Sequence, residues 1–152
     1  MRIALGVEYD GAAFRGFQWQ NNAPSVQAAL EAGLGRIADE PVRVSAAGRT
    51  DAGVHATGQV VGFDTAAVRP LGAWVRGTNA LTPPGVKVRW AREADPDFHP
   101  RYSAVARRYQ YVFHDDPTPS PLLTGRVTPV RPLDADAMHR AAQWLLGEHD
   151  FS

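Results

Sequence analysis

The sequence predicts an α/β (α+β) chain: a ferredoxin-like β-α-β-β-α-β unit with an antiparallel sheet, followed by the start of a second, incomplete α/β domain. Three observations predict it. Short alternating apolar stretches are interleaved with two stretches of helical period. Glycine and proline punctuate the junctions. An apolar content of 44% supplies a packed core, with no cysteine to staple it.

Residues 2–10 alternate and stop at the turn signal Asp10-Gly11, which reads as a strand. Residues 12–24 (Phe14, Phe17, Gln18, Trp19, Gln20 and Asn21 among them) are too polar for a strand core and too aromatic for a linker. Ser25 caps a helix whose Val26, Ala29, Leu30, Gly33, Leu34 and Ile37 recur at helical spacing. Val42–Ala46 reads as a short strand, and residues 57–63 as a third. Pro70 suits the first turn of a second helix, with Leu71, Trp74 and Val75 facing inward. Pro83-Pro84-Gly85 is a turn, and 86–90 a strand that closes the unit near residue 94.

The domain expectation is therefore 1–94 for the ferredoxin-like unit, 95–104 for a crossover segment and 105–152 for the start of a second domain. Residues 105–113 alternate as a strand. Pro117, Pro119, Pro121, Pro129 and Pro132 mark an irregular loop, and Asp134 caps a last helix with Met138, Ala141, Ala142, Leu145 and Leu146 on its apolar face. A strand, a loop and a helix cannot bury a core alone.

The absence of cysteine excludes disulfides and thiolate metal sites. The five histidines show no local ligand spacing, so no metal is expected. No basic segment with an apolar stretch precedes the first strand, and no apolar run is long enough to span a bilayer; a cytoplasmic protein is the default. The formal net charge of zero counts against nucleic-acid binding judged in bulk. The cations are nearly all arginine, with Lys87 the only lysine, and GC-rich coding explains most of that excess.

Gly48 to Val60 is the most informative stretch. Two glycines, Gly48 and Gly53, bracket Arg49-Thr50-Asp51, placing a guanidinium and a carboxylate at the end of one strand just before another. For an arbitrary Asp there, a local turn contact to backbone is the ordinary outcome. For Arg49, two readings stand on the residues alone: an RNA contact, or a structural salt bridge, the commoner fate. Tyr109 and Tyr111 alternate on the strand expected at 105–113, where a core tyrosine is the commoner fate.

The string Gly48–Val60 resembles the active-site motif of the tRNA pseudouridine synthases of the TruA type, and Arg107-Arg108-Tyr109-Gln110-Tyr111 resembles a second motif of that family, Arg-x-Tyr-x-Tyr. Glu8–Gly11, Ser25-Val26-Gln27 and Phe98–Ala104 also match, so the resemblance runs from residue 3 to residue 152. Phe17 departs from the usual Trp of a Gly-Trp-Gln-x-Gln segment. Members continue for roughly another hundred residues, within one more domain's worth of chain. The chain is thus similar to their N-terminal portion.

The resemblance implies a pseudouridine synthase fold and isomerisation of uridine in the tRNA anticodon stem-loop. No redox step or net hydrolysis occurs, so no cofactor is implied. Asp51 is the implied catalytic carboxylate, as nucleophile or base. Arg49 is associated with the RNA and with base flipping. Tyr109 packs on the target base, a stacking worth ~1–3 kcal/mol. Arg101 and Arg107 join Arg49 in a local positive surface, Arg107 chosen over Arg108 because alternation puts it on the face of Tyr109. A homodimer is implied, as is a basic partner for Asp51 from the second half of such proteins. The competing reading is a non-catalytic RNA-binding or dimerising fragment, although no RNP1-like Gly-Phe-Gly-Phe pattern is present.

Overall fold

Ile3, Leu5, Val7 and Tyr9 alternate along one side of the first strand, and all four are buried. Each such aliphatic side chain contributes about 1.5–3 kcal/mol by leaving water. The computed structural model describes residues 1–150. It divides into a first unit, Met1–Arg108, and a second that begins at Tyr109.

In the first unit, strand β1 (Arg2–Tyr9) leads to helix α1 (Val26–Ala38), strand β2 (Ser45–Ala46), strand β3 (Ala56–Asp64), helix α2 (Leu71–Leu81) and strand β4 (Val86–Ala94). The sheet order is β2-β3-β1-β4, with every ladder antiparallel. This is the predicted mixed α/β arrangement, with β1 central and paired on both sides. The ladder with β4 slips after Gly6, which opposes Trp90, to Val7, which opposes Val88, so Arg89 bulges out.

Both helices cover the face carrying Ile3, Leu5 and Val7. Ser25 caps α1 through Oγ, which accepts from Ala28 N–H at 3.2 Å. Leu30 and Leu34 are fully buried beneath it, and Trp74 of α2 meets Phe63 of β3 edge-on at 5.2 Å between ring centroids. The opposite face is partly covered by residues 95–103. Gly62 lets the segment lie close: a Cβ there would sit 3.2 Å from Pro100 Cδ, tighter than ordinary contact. Arg2 clamps the segment. Its guanidinium grips Asp64 with two bonds of 2.8 Å and donates to the carbonyls of Pro96 and Phe98.

Three expectations need correction. Only Ser45–Ala46 of the strand expected at Val42–Ala46 pairs with a neighbour. Val42 and Val44 are buried as expected, but Val44 N–H donates to Glu31 Oε1 of α1 at 3.0 Å, so a helix side chain replaces the ladder. Leu71 is 42% exposed. The buried residues of α2 are Trp74 and Thr78; Leu71 stands on the same side of the helix but at its first position, where the end of the helix leaves the side chain partly in water. Pro70 itself sits at the cap position.

The third correction lies at 105–113. Only Phe113–His114 forms a strand (β5), paired in parallel with Thr128–Pro129 (β6) across the proline-rich loop. Alternation makes a strand only where a ladder partner exists, and among the described residues the partner is two residues long. Helix α3 (Ala135–Ala142) follows, capped as expected by Asp134, which accepts from Ala137 N–H at 2.8 Å. None of the described residues of this second unit is buried; Trp144 and Leu146 stand exposed.

Two consequences are measurable. Hydrogen bonding from Arg2 holds the Asp64 carboxyl below the ordinary carboxylate range, and the Thr65 hydroxyl with Ala66 N–H does the same for Glu40. A carboxyl lowered on folding stabilises the folded chain above its unfolded pKa, and that stability is lost as pH falls through the lowered value. Asp64→Asn is therefore expected to be less stable than the parent at neutral pH, with the gap closing in acid; urea midpoints at the two pH values check this. Thr78 is buried with its Oγ1 unpartnered in the structure. Thr78→Val removes that orphan hydroxyl and is expected to raise stability by about 1 kcal/mol, read as a higher urea midpoint.

Candidate active site

The turn between β2 and β3 carries Arg49 and Asp51, and both side chains are exposed. Among the described residues neither has an ion-pair partner. Their positions are set through the backbone. Gly53 takes φ +80°, the left-handed turn its sequence position suggested, and Val54 N–H closes onto Asp51 O at 3.2 Å.

The turn is fastened from below at alternate residues. Gln59, buried on β3, donates from Nε2 to Gly48 O at 2.6 Å while its Oε1 accepts Gly48 N–H at 3.4 Å. Tyr9, buried at the end of β1, shares a 2.7 Å hydrogen bond between its hydroxyl and Thr50 Oγ1. Gln59 Nε2 also reaches Tyr9 OH at 3.4 Å.

The aromatic, amide-rich segment 12–24 forms the floor. Phe17 N–H donates to Thr50 O at 2.9 Å and Phe14 O accepts Gly53 N–H at 3.4 Å, with both rings buried. Trp19 remains 45% exposed, its N–H bound to Gln27 Oε1. On the other flank, His55 Nδ1 lies 3.1 Å from Gly11 N and 3.0 Å from Asp10 Oδ1. A bare Nδ1 accepts from Gly11; a ring carrying hydrogen there donates to Asp10 instead.

Arg107 and Arg101 meet on this unit. Arg107 Nε donates to Ala47 O at 2.8 Å, beside the turn, and Nη2 to Arg101 O at 2.7 Å, so the guanidinium ties crossover to turn. Arg101 stacks its own guanidinium 5.8 Å from the Tyr102 ring centroid. Tyr109 belongs to the second unit and is 70% exposed. Because 105–112 is not strand, the alternation used to match Arg107 with Tyr109 has no ladder to enforce it. Among the described residues no cluster of His, Asp or Glu could hold a metal ion, and no helix is long and apolar enough to cross a membrane.

The anchors Tyr9, Thr50 and Gln59 are the residues that motif reading passed over. A signal existed: Tyr9 continues the inward row of β1, and Gln59 is a polar residue in the inward row that holds Val61 and Phe63 on β3.

The floor fits tightly enough to be tested. A Cβ on Gly11 would lie 2.1 Å from Val54 O, a backbone atom that cannot swing aside. Gly11→Ala is expected to destabilise the chain by about 1–3 kcal/mol, measured as a lower urea midpoint.

Residues 6–103 match the family model described as tRNA pseudouridine synthase. The tRNA pseudouridine synthase A of Aromatoleum aromaticum is 57% identical over 153 aligned positions, that of Pseudoalteromonas atlantica 56% and that of Shewanella frigidimarina 52%. Each alignment takes in 100% of this chain, and 58%, 58% and 59% respectively of the relative. The chain thus spans somewhat under three fifths of the length of the curated relatives it matches. With a family model covering most of its first unit, on a sheet and turn of this geometry, the chain belongs to the tRNA pseudouridine synthase family.

Proposed function

We propose that this chain carries the catalytic carboxylate of an enzyme that isomerises uridine to pseudouridine in the tRNA anticodon stem-loop. The observation that carries the reading is an exposed Asp51 on a turn whose flanking backbone is fixed to buried side chains. Catalytic groups need that combination of access and fixed position.

The reaction breaks the bond from C1′ to N1 and forms one from C1′ to C5. N1 gains a proton and C5 loses one, so neither oxidant nor water is consumed. An ionised carboxylate beside the nucleotide can attack it or remove the C5 proton. A uridine within a paired stem must first leave the stack, at a cost of a few kcal/mol. In this reading Arg49 contacts the RNA where the base departs, and Tyr109 stacks on the extruded base. Arg101 and Arg107 add positive charge near the phosphates, Arg107 while still bonded to two carbonyls. No cofactor takes part. Two copies sharing one tRNA, in the cytoplasm, complete the proposal.

The test uses the full-length protein and tRNA tritiated at uridine C5. The parent is expected to release tritium. Asp51→Asn, which keeps size and removes charge, is expected to bind tRNA normally and release none. Turnover surviving in the Asn variant removes Asp51 from the chemistry. A parent that binds tRNA but never releases tritium favours the non-catalytic RNA-binding reading.

A further inference from the structure

Two buried polar side chains of the sheet are spent on the turn that bears Asp51. The inward rows of β1 and β3 are otherwise apolar (Ile3, Leu5, Val7, Val61, Phe63), and phenylalanine and leucine would fill the places of Tyr9 and Gln59. Burying a phenol and a carboxamide costs free energy unless their polar ends are bonded. Here those ends go to the turn: Tyr9 OH to Thr50 Oγ1 at 2.7 Å, and both ends of the Gln59 amide to the N–H and C=O of Gly48. Gripping Gly48 at two points fixes the orientation of its backbone as well as its place. Residues 48 and 50 are held inward while Arg49 and Asp51 stay exposed.

We propose that Tyr9 and Gln59, acting through Thr50 and Gly48, are positioning residues for the Asp51 carboxylate. This inference rests on the isomerase reading of the same turn. Both side chains are buried and reach the turn rather than the surface, so each sets where the carboxylate sits. Tyr9 is itself seated against Phe17, 6.2 Å between ring centroids, and Phe17 N–H holds Thr50 O, so the grip closes on itself through the aromatic floor.

The experiment is a double-mutant cycle in the full-length protein with Tyr9→Phe and Thr50→Val, alongside Gln59→Leu. Each single variant is expected to lower kcat about 10- to 100-fold with KM changed by less than about twofold, the signature of a displaced catalytic group. The Tyr9→Phe/Thr50→Val double variant should be no slower than the worse single, because both remove one interaction. Thr50→Ser restores an oxygen and should recover most of what Thr50→Val loses. Losses that multiply in the double variant, or kcat unchanged in the singles, overturn the inference. A second readout needs no turnover: amide hydrogen exchange over residues 48–52 should quicken in Tyr9→Phe and Gln59→Leu, and unchanged protection overturns the grip. A parent without turnover refutes the isomerase reading and the catalytic half of this inference with it, while exchange still decides the grip.

Discussion

An exposed carboxylate has no packing of its own, so whatever places Asp51 must act through the backbone on either side of it. The first unit is organised around that constraint. β1 runs through the middle of the sheet and ends in Tyr9, which is still inside the core yet reaches Thr50. β3 begins beside the turn and presents Gln59 to Gly48. The loop after β1 folds under both and bonds Thr50 and Gly53. The three segments converge because β1 and β3 are antiparallel neighbours, which brings the end of one beside the start of the other.

Much of this was legible in the sequence. Period-2 alternation marked β1 and β3, helical spacing and Ser25 marked α1, and the glycine bracket marked the turn that carries Asp51. What was not legible depended on partners distant in sequence. Val42 and Val44 carry a strand pattern, but Glu31 claims the Val44 N–H. Residues 105–112 alternate without a ladder. Arg107 reads in the sequence as part of a positive surface facing the RNA, and only the fold reveals its two carbonyl acceptors. Segment 12–24 resisted assignment because its aromatic rings serve a core while its backbone serves a turn.

The two faces of the sheet are closed by different physics. The helical face is sealed by apolar volume, with Trp74, Leu30 and Leu34 of the helices buried against it. The other face is held down at one end by a charged fork: Arg2 binds Asp64 and two carbonyls of the crossover at once. An apolar seal tolerates exchange of one hydrophobic shape for another. The fork is a matter of geometry, and lysine at that position could supply the charge but not the planar set of donors.

The nine-residue β4 has a further consequence, because among the described residues it is an outermost strand with one backbone row unpaired by the sheet. A long, regular edge of that kind invites a foreign strand to extend the sheet, the first step toward aggregation. Here the bulge at Arg89 breaks the regular spacing of donors and acceptors, and Lys87, Arg89, Arg92 and Glu93 line the strand with charge. The same irregularity that lets Arg89 lean back to Glu8 keeps this margin of the molecule from becoming a template.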